Sequence, residues 1–454
     1  MVIDITEGLQ TQTQECLVLA NISKKSVVII LNKIDLIDES ERTQKVDKMI
    51  AKLSKNVFSK TNLKIIGYIA ISTRDDYFST IYLPKIKQII INYIIKISNQ
   101  EKNDVDVENI EGHSVPFCMQ VDHSFHVKGK GNVFTGTVLS GKVSSIEIPK
   151  LCITKPIKSI QIFHKNQKSI QKYDRAAICI KGLKINFERG LIVTPKSFHS
   201  TKMIILSVEP IKYFNKDIKS DEKYHFSIGN STCMATCTFF CSRSDRTCNY
   251  FNVEDKYDYV DILPKYIVDD RRFFCLASLS EEITICKDIG MRWIYVASKL
   301  DNTNNKSCRI AFHGIYIDSL LKFKFPNIKI MKSKKKYGIM DRVADKNNCV
   351  LKNMFKPFSN VTDFGNNSIA IYQLDTNINK QITDTRVAVE ILTKYENEAR
   401  YICTCHLVSS FGTTGKIKVN SDDFVDSDTD FTSLNLKKFT YMAVMKYEKC
   451  FIKS

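Results

Sequence analysis

The sequence lacks an apolar run long enough to cross a bilayer, which takes about 20 residues. Its longest, Ile89 to Ile97, is too short and is interrupted by Asn92, so no membrane-spanning helix is expected. The first residues read as a buried strand, not as a basic start followed by an apolar stretch, so no signal peptide is expected and the protein reads as soluble and cytoplasmic. The densest group of its 15 cysteines also lacks C-x2-C knuckles. That group is Cys233, Cys237, Cys241 and Cys248. The first three are four apart in an apolar stretch, so on a strand they share one face and point into a core as small hydrophobes. Cys403, Cys405 and His406 sit in the strand-like run Tyr401 to Val408. Neither a metal site nor a disulfide is expected. No internal repeat or low-complexity tract is apparent, although Asp422 to Asp430 reads as an exposed acidic loop. The phosphate-cradling pattern G-x-x-x-x-G-K-S/T occurs nowhere.

What is present is 454 residues at 43% hydrophobic content, enough to bury several cores and consistent with about three or four domains. A formal charge of +18 favours a polyanionic partner. Lys, Asn and Ile are enriched together, however, which a bias in the coding sequence also produces. Strand and helix alternate at first: strand Val2 to Ile5, helix Leu9 to Asn21, buried strand Val27 to Leu31, helix Glu39 to Phe58, strand Ile65 to Ile71, helix Leu83 to Ile97. Ser98 to Gly112 reads as a linker. From Phe117 to the end, short alternating segments predict a succession of β-barrels, with breaks near Ser200 and near Pro326, after Phe325. The fold class is multidomain α/β plus all-β, divided at residues 1–111, 112–200, 201–326 and 327–454.

Asn32-Lys33-Ile34-Asp35 directly follows the buried strand, at the carboxyl end of a parallel layer, where such sheets bind ligands. A carboxylate there can accept two hydrogen bonds from the N1 and N2 edge of guanine, which adenine cannot supply. Asn32 can tie neighbouring loops, and Lys33 can lay its stem along the base. Ala70-Ile71-Ser72, closing the next strand, would bring a backbone N–H to the base oxygen. The bland alternative is a turn that caps a helix. With no phosphate loop and no Asp-x-x-Gly before Val2, the chain is expected to hold GTP weakly or not at all and not to hydrolyse it. No catalytic residue is assigned.

The next segment carries a resemblance. Val121-Asp122-His123-Ser124-Phe125, Lys128-Gly129-Lys130-Gly131 and Val133 to Gly141, with its Thr135-Gly136-Thr137, resemble the opening hairpin of domain two in relatives of elongation factor Tu. The glycines there are read as tight-hairpin residues needing positive φ. Asp122-His123 with Lys158 to His164 and Asp174-Arg175 resembles, more narrowly, the eukaryotic selenocysteine-specific elongation factor. Glu15-Cys16-Leu17, Arg189-Gly190-Leu191, Tyr213-Phe214, Arg309 to Gly314 and Lys336-Tyr337-Gly338 follow in that family's order. Two departures stand out: Tyr173 replaces the Gly that the family places before Asp-Arg, and a Gly-Asp turn after Ser145 is absent.

The resemblance implies a partial P-loop GTPase domain followed by three β-barrels, using GTP and GDP with magnesium in the full-length family and N-terminally truncated here. It implies delivery of selenocysteinyl-tRNA to the ribosome at recoded UGA codons. Asp122, His123 and Arg175 match the family's aminoacyl pocket. A selenol is ionised at neutral pH, whereas serine is neutral and cysteine, with a pKa of about 8.5, is mostly protonated. Arg175 and His123 would therefore favour the selenolate, with Asp122 holding the cations in place. The alternative is an ordinary barrel salt bridge beside a core histidine. Domain three would touch the tRNA, and domain four the recoding-element RNA and its binding protein. Lys332, Lys334, Lys335, Lys336 and Arg342 are the candidate RNA contacts. A monomer without membrane contact is expected. Two rivals remain: a translational GTPase of the initiation-factor-two gamma kind, and a non-catalytic RNA-binding scaffold.

Overall fold

The computed structural model describes residues 1–57, 61–74, 76–101, 115–129, 131–143, 145–182, 188–243, 251–267, 270–286, 293–299, 308–319, 328–375, 385–426 and 429–451. The chain divides into one compact unit of Met1–Phe251 with Val260–Pro326 and another of Asn252–Tyr259 with Asn327–Ser454.

The first unit opens with β1 (Val2–Asp4), α1 (Thr11–Ile22), β2 (Ser26–Asn32), α2 (Glu39–Asn56), β3 (Lys64–Ala70) and α3 (Leu83–Glu101). The strands form a parallel sheet in the order β1-β2-β3. Ile3, Ile29 and Leu31 are fully buried within it, because helices cover an all-parallel sheet. All six expected elements are present. Helix α3 runs on through Ser98 to Glu101, into the expected linker, because no Gly or Pro stops it. The rest of that linker lies outside the described residues.

Domain two consists of β4 (Cys118–Val127), β5 (Gly131–Ser140), β6 (Ser145–Ile148), β7 (Ile153–Ile162), β8 (Lys165–Gln167), β9 (Arg175–Ile180) and β10 (Gly190–Val193). The order β6-β10-β4-β5-β9-β7 closes through a β6–β7 pairing around Phe117, Phe134, Val138 and Ile178. Domain three consists of β11 (Phe198–Pro210), β12 (Ile218–Lys219), β13 (Glu222–Ile228), β14 (Ser231–Ser242), β16 (Ile262–Leu263), β17 (Phe273–Cys286), β18 (Ile294–Ser298) and β19 (Ile310–Ser319), while the intervening β15 (Lys256–Val260) belongs, but for Val260, to the second unit. Of these, β13-β18-β19-β11-β17-β14 closes on itself through β13–β14. Phe312 meets Tyr224, Phe226 and Phe239 edge-on at 5.3, 5.8 and 5.2 Å in its core. Cys233, Cys237 and Cys241 are buried there as expected, and Cys248 lies outside the described residues. The break expected near Ser200 falls inside β11, since Phe198 to Thr201 already pairs with β17. Phe325 and Pro326 lie outside the described residues.

The second unit is a barrel of β20 (Lys329–Val343), β21 (Asn348–Lys352), β22 (Ile369–Leu374), β23 (Arg400–Phe411), β24 (Lys416–Phe424) and β25 (Thr440–Cys450). Its order β20-β21-β24-β23-β22-β25 closes through β20–β25. Lys256 to Asp258 of β15 runs parallel to the start of β20. Cys403 and Cys405 are buried inside this barrel, and His406 is exposed. A helix, α4 (Thr385–Tyr395), corrects the all-strand expectation after Phe117. Its Leu392, with Ile391 and Tyr395, packs on the outer barrel face formed by Tyr337, Ile339, Leu374, Met442 and Val444. The helical spacing Ile391, Leu392, Tyr395 was hidden among β-branched residues and threonines, which read as strand and turn. No helix among the described residues is long and apolar enough to cross a membrane.

Candidate functional site

Strand β2 ends at Asn32, and the chain turns at once through Lys33, at a left-handed φ of 67°, into the single 3-10 turn Ile34–Leu36. This sharp exit puts Asp35 at the surface beside the loop that follows β3. Ile71 N donates to Leu31 O at 2.8 Å and Ile34 N to Ile71 O at 3.3 Å, which joins the two loops. Buried Ser72 hydrogen-bonds Asp35, and this, more than the charges of Arg74 and Arg42, holds the Asp35 carboxyl below its ordinary range. Lys33 Nζ reaches Asp4 Oδ2 at 2.6 Å. Asp4 also accepts from Thr6 N at 2.8 Å and Thr6 Oγ1 at 2.6 Å, and with Lys33 foremost these bonds keep it ionised to well below the usual carboxylate range. Asn32 Oδ1 is buried with no hydrogen-bond partner among the described residues. The structure therefore brings Asn32, Lys33, Asp35, Ile71 and Ser72 together where two loops meet, with Ala70 as the last residue of β3. Asp4 was not among the expected site residues. Its signal is the register, in which β1 ends directly opposite Asn32.

In domain two the pairing of β4 with β5 slips between Val121 and His123, since Val121 faces Gly136 and His123 faces Thr135. Asp122 is the extra residue of a β-bulge, a device that re-aims a side chain. Gly136 explains why the bulge is possible. A Cβ there would sit 2.0 Å from Gln120 O, so the strands approach closely only at glycine. This corrects the positive-φ reading for Gly136; Gly129 and Gly131, with φ of 76° and 124°, do meet it.

Arg175 begins β9 opposite Thr137. Its Nη1 donates to Asp122 Oδ2 and, at 2.9 Å, to Thr137 Oγ1. Burial alone would raise the Asp122 pKa, but hydrogen bonds from Arg175 and Asn230, with the charges of Arg175 and His123, outweigh it and lower the pKa. Arg175 also lines an open cavity of about 370 Å³ with Phe125, Thr135, Gln161, Phe163 and His164. Asp122 does not line it and stands behind the guanidinium. His123 is exposed and pairs with Thr135, which does line it, so His123 and Arg175 occupy one outer face. Tyr173, the departure noted above, has a φ of 74° in the turn leading to Arg175.

The five basic candidates of domain four lie on β20, and a strand sends successive side chains to opposite faces. Lys335 pairs with Glu396, which also accepts from Tyr337 Oη at 2.7 Å. Lys336 points the other way, with Nζ 4.5 Å from the centre of Phe355, 5.1 Å from Phe364 and 6.0 Å from Tyr447. Burial, aided by the charge of Lys356, lowers its pKa. Lys332 stands 4.0 Å over Tyr259, while Lys334 and Arg342 are exposed. The sequence cluster is thus not one surface.

Two further segments quoted for the resemblance meet in space. Arg309 donates to Glu15 from its backbone N at 2.8 Å, from Nε at 3.0 Å and from Nη2 at 2.6 Å, which ties α1 to the edge of domain three.

The family model of the elongation factor Tu GTP-binding domain matches residues 1–119, and that of the third domain of eukaryotic selenocysteine-specific elongation factor matches residues 205–314. The selenocysteine-specific elongation factor of Mus musculus is 30% identical over 413 residues, covering 80% of this chain and 67% of the relative. This chain belongs to the selenocysteine-specific elongation factor family. The family's factor from Methanocaldococcus jannaschii is 25% identical over 358 residues, covering 76% of this chain and 67% of the relative. Among solved structures, apo translation elongation factor SelB from Methanococcus maripaludis shares the fold, with a TM-score of 0.64 at 17% identity over 99% of this chain and 81% of that one. The same factor in complex with the GTP analogue GppNHp has a TM-score of 0.62 at 18% identity, over 99% and 84%. Guanine-nucleotide binding is thus a property of the family. The initiation-factor-two gamma and scaffold readings are not favoured by these likenesses.

Proposed function

We propose that this chain carries selenocysteinyl-tRNA to the ribosome, in the cytoplasm, for insertion at recoded UGA codons. The observation that carries the reading is the posture of Arg175. Its Nη1 is held by Asp122 and Thr137 at the wall of an open cavity, while Nη2 and Nε have no acceptor among the described residues. A selenolate entering that cavity would take charge-assisted hydrogen bonds from these donors, with His123 on the same face adding a further donor. Seryl and cysteinyl groups, neutral at pH 7, would gain far less. Each bond to a charged group contributes about 1.5 to 3 kcal/mol, so two would supply discrimination of roughly a hundredfold or more.

The corner of Asn32, Lys33, Asp35, Ala70, Ile71 and Ser72 would take a guanine base. The unpartnered Asn32 oxygen and the ionised Asp35 are the groups a purine with an amino edge would engage. GTP with magnesium needs a phosphate cradle besides, and the sequence contains no G-x-x-x-x-G-K-S/T. Lys334 and Arg342, the exposed ones among the five basic candidates of domain four without a close partner described above, are the side chains best placed for recoding-element RNA or its binding protein, and Lys332, stacked on Tyr259, comes after them. Lys335 and Lys336 are already engaged within the barrel.

The test is Arg175→Ala, read as the ratio of affinities for selenocysteinyl-tRNA and seryl-tRNA. The ratio should collapse by roughly a hundredfold, with seryl-tRNA affinity unchanged. An unchanged ratio would overturn the pocket.

A further inference from the structure

Asn230 belongs to no motif quoted above. It stands at the tip of the hairpin between β13 and β14, where Ile228 pairs with Ser231 and Gly229-Asn230 form a two-residue loop. Gly229 takes a φ of 55°, the left-handed conformation such tight loops demand of one of their residues. From this tip of domain three, Asn230 Nδ2 donates to Val121 O at 3.1 Å and to Asp122 Oδ1 at 3.2 Å. Both contacts fall on the bulge of domain two.

The two oxygens of Asp122 are therefore held from opposite directions, Oδ2 by Arg175 and Oδ1 by Asn230. An arginine facing a free carboxylate tends to pair through two parallel N–H bonds. Such a fork would consume the donors that Arg175 otherwise keeps for a ligand. With Oδ1 turned toward Asn230, Asp122 meets Arg175 through Oδ2 and Nη1 alone.

We infer that Asn230 is a positioning residue through which domain three keeps the Asp122–Arg175 contact one-pronged and so leaves Arg175 donors for the aminoacyl group. This rests on the pocket reading above. It adds that selectivity is assembled across two domains and depends on a side chain that never touches the ligand. The other charged groups facing Asp122 are Arg175 from β9 and His123 from its own strand. Neither is altered when Asn230 is changed.

Two variants test it. Asn230→Ala removes the donor, and Asn230→Asp keeps the shape while replacing the donor with an acceptor. Selenocysteinyl-tRNA affinity should fall about fivefold in the first, the size of one hydrogen bond to a charged group discounted for partial exposure, and further in the second. Seryl-tRNA affinity should stay unchanged in both, and Asn230→Gln should restore part of the ratio. A second readout needs no tRNA: the Asp122 carboxyl followed by carbon NMR in the free chain. Its titration should move to higher pH in Asn230→Ala, because a bond favouring the ionised form is gone. A ratio unchanged in both variants overturns the inference even if the titration moves, and an unmoved titration overturns it by itself. If Arg175→Ala also leaves the ratio unchanged, the pocket reading fails. If Arg175→Ala abolishes the ratio while the Asn230 variants do not, only the positioning role fails.

Discussion

Domain two and domain four both carry basic side chains on a barrel strand, yet the outcome for a ligand differs. Arg175 starts its strand beside a bulge, and the single carboxylate there takes only one of its nitrogens. On β20, by contrast, Lys335 closes onto Glu396 and Lys336 slides under Phe355 and Phe364. Two of the four lysines within five residues are thus taken up by neighbours, whereas the one arginine keeps donors for a ligand. What counts is whether the neighbours leave donors facing solvent, and that is set by backbone irregularity more than by charge density.

The comparison is sharpest at the glycines beneath each cation. At Gly136 a Cβ would lie 2.0 Å from a backbone oxygen, Gln120 O, which cannot move without opening the β4–β5 pairing. At Gly338, on β20, the nearest atoms would be Met354 Cβ at 3.0 Å and Lys352 O at 3.1 Å, a contact that small shifts relieve. Gly136→Ala should therefore destabilise the first unit by about 3 kcal/mol or more and abolish the preference for selenocysteinyl-tRNA. Gly338→Ala should cost the second unit about 1 kcal/mol. Denaturant melts of the two variants decide it. Equal losses would mean that the close approach at the bulge is not what sets domain two apart.

A second way to break the comparison is to remove the lysines one at a time. Lys336 is half-buried against three rings, and contacts of this kind contribute about 0.5 to 2 kcal/mol according to how far they are desolvated. Lys336→Ala should lower stability by about 1 kcal/mol and leave RNA affinity unchanged. Lys334→Ala should do the reverse, with stability within about 0.5 kcal/mol of the parent and the salt dependence of RNA binding reduced by a slope of about one. Melting and a salt titration with a structured RNA read both. If Lys336→Ala weakens RNA binding as much as Lys334→Ala, the lysines of β20 act as one surface after all.

The difference between these regions also explains what was legible beforehand. The layer from Val2 to Ile97 could be read because everything needed is local: apolar runs, the turns between them and helical spacing. How the lysines divide between faces was not legible, because adjacency in sequence becomes opposition on a strand. Asp122 and Arg175 lie 53 residues apart, and the bulge that brings them together breaks the alternation on which strand reading depends. Only the resemblance singled them out. Asn230 is 108 residues from Asp122 and was invisible, since nothing in a Gly-Asn turn tells which strand its tip will meet. Helix α4 was missed because its apolar positions sit in β-branched company.

The smallest expected effect separates strain that serves a site from strain that does not. Tyr173 and Phe358 are both exposed aromatics in left-handed conformation, with φ of 74° and 60°. Each is held there by its backbone N–H, Tyr173 to Val138 O at 2.8 Å and Phe358 to Gly412 O at 2.6 Å. The conformation costs an L-residue about 1 to 2 kcal/mol, and glycine relieves it while adding about 0.5 to 1 kcal/mol of chain entropy to be lost on folding. Tyr173→Gly and Phe358→Gly should each stabilise their own unit by about 0.5 to 1 kcal/mol. Only Tyr173 leads, through Asp174, into Arg175. If the turn merely tolerates Tyr173, the glycine variant will keep its preference for selenocysteinyl-tRNA and gain stability, as the family's usual glycine at that position implies. If instead the preference falls as stability rises, the turn is part of how domain two aims its cation, and Phe358→Gly, which should gain stability without touching that preference, marks the contrast.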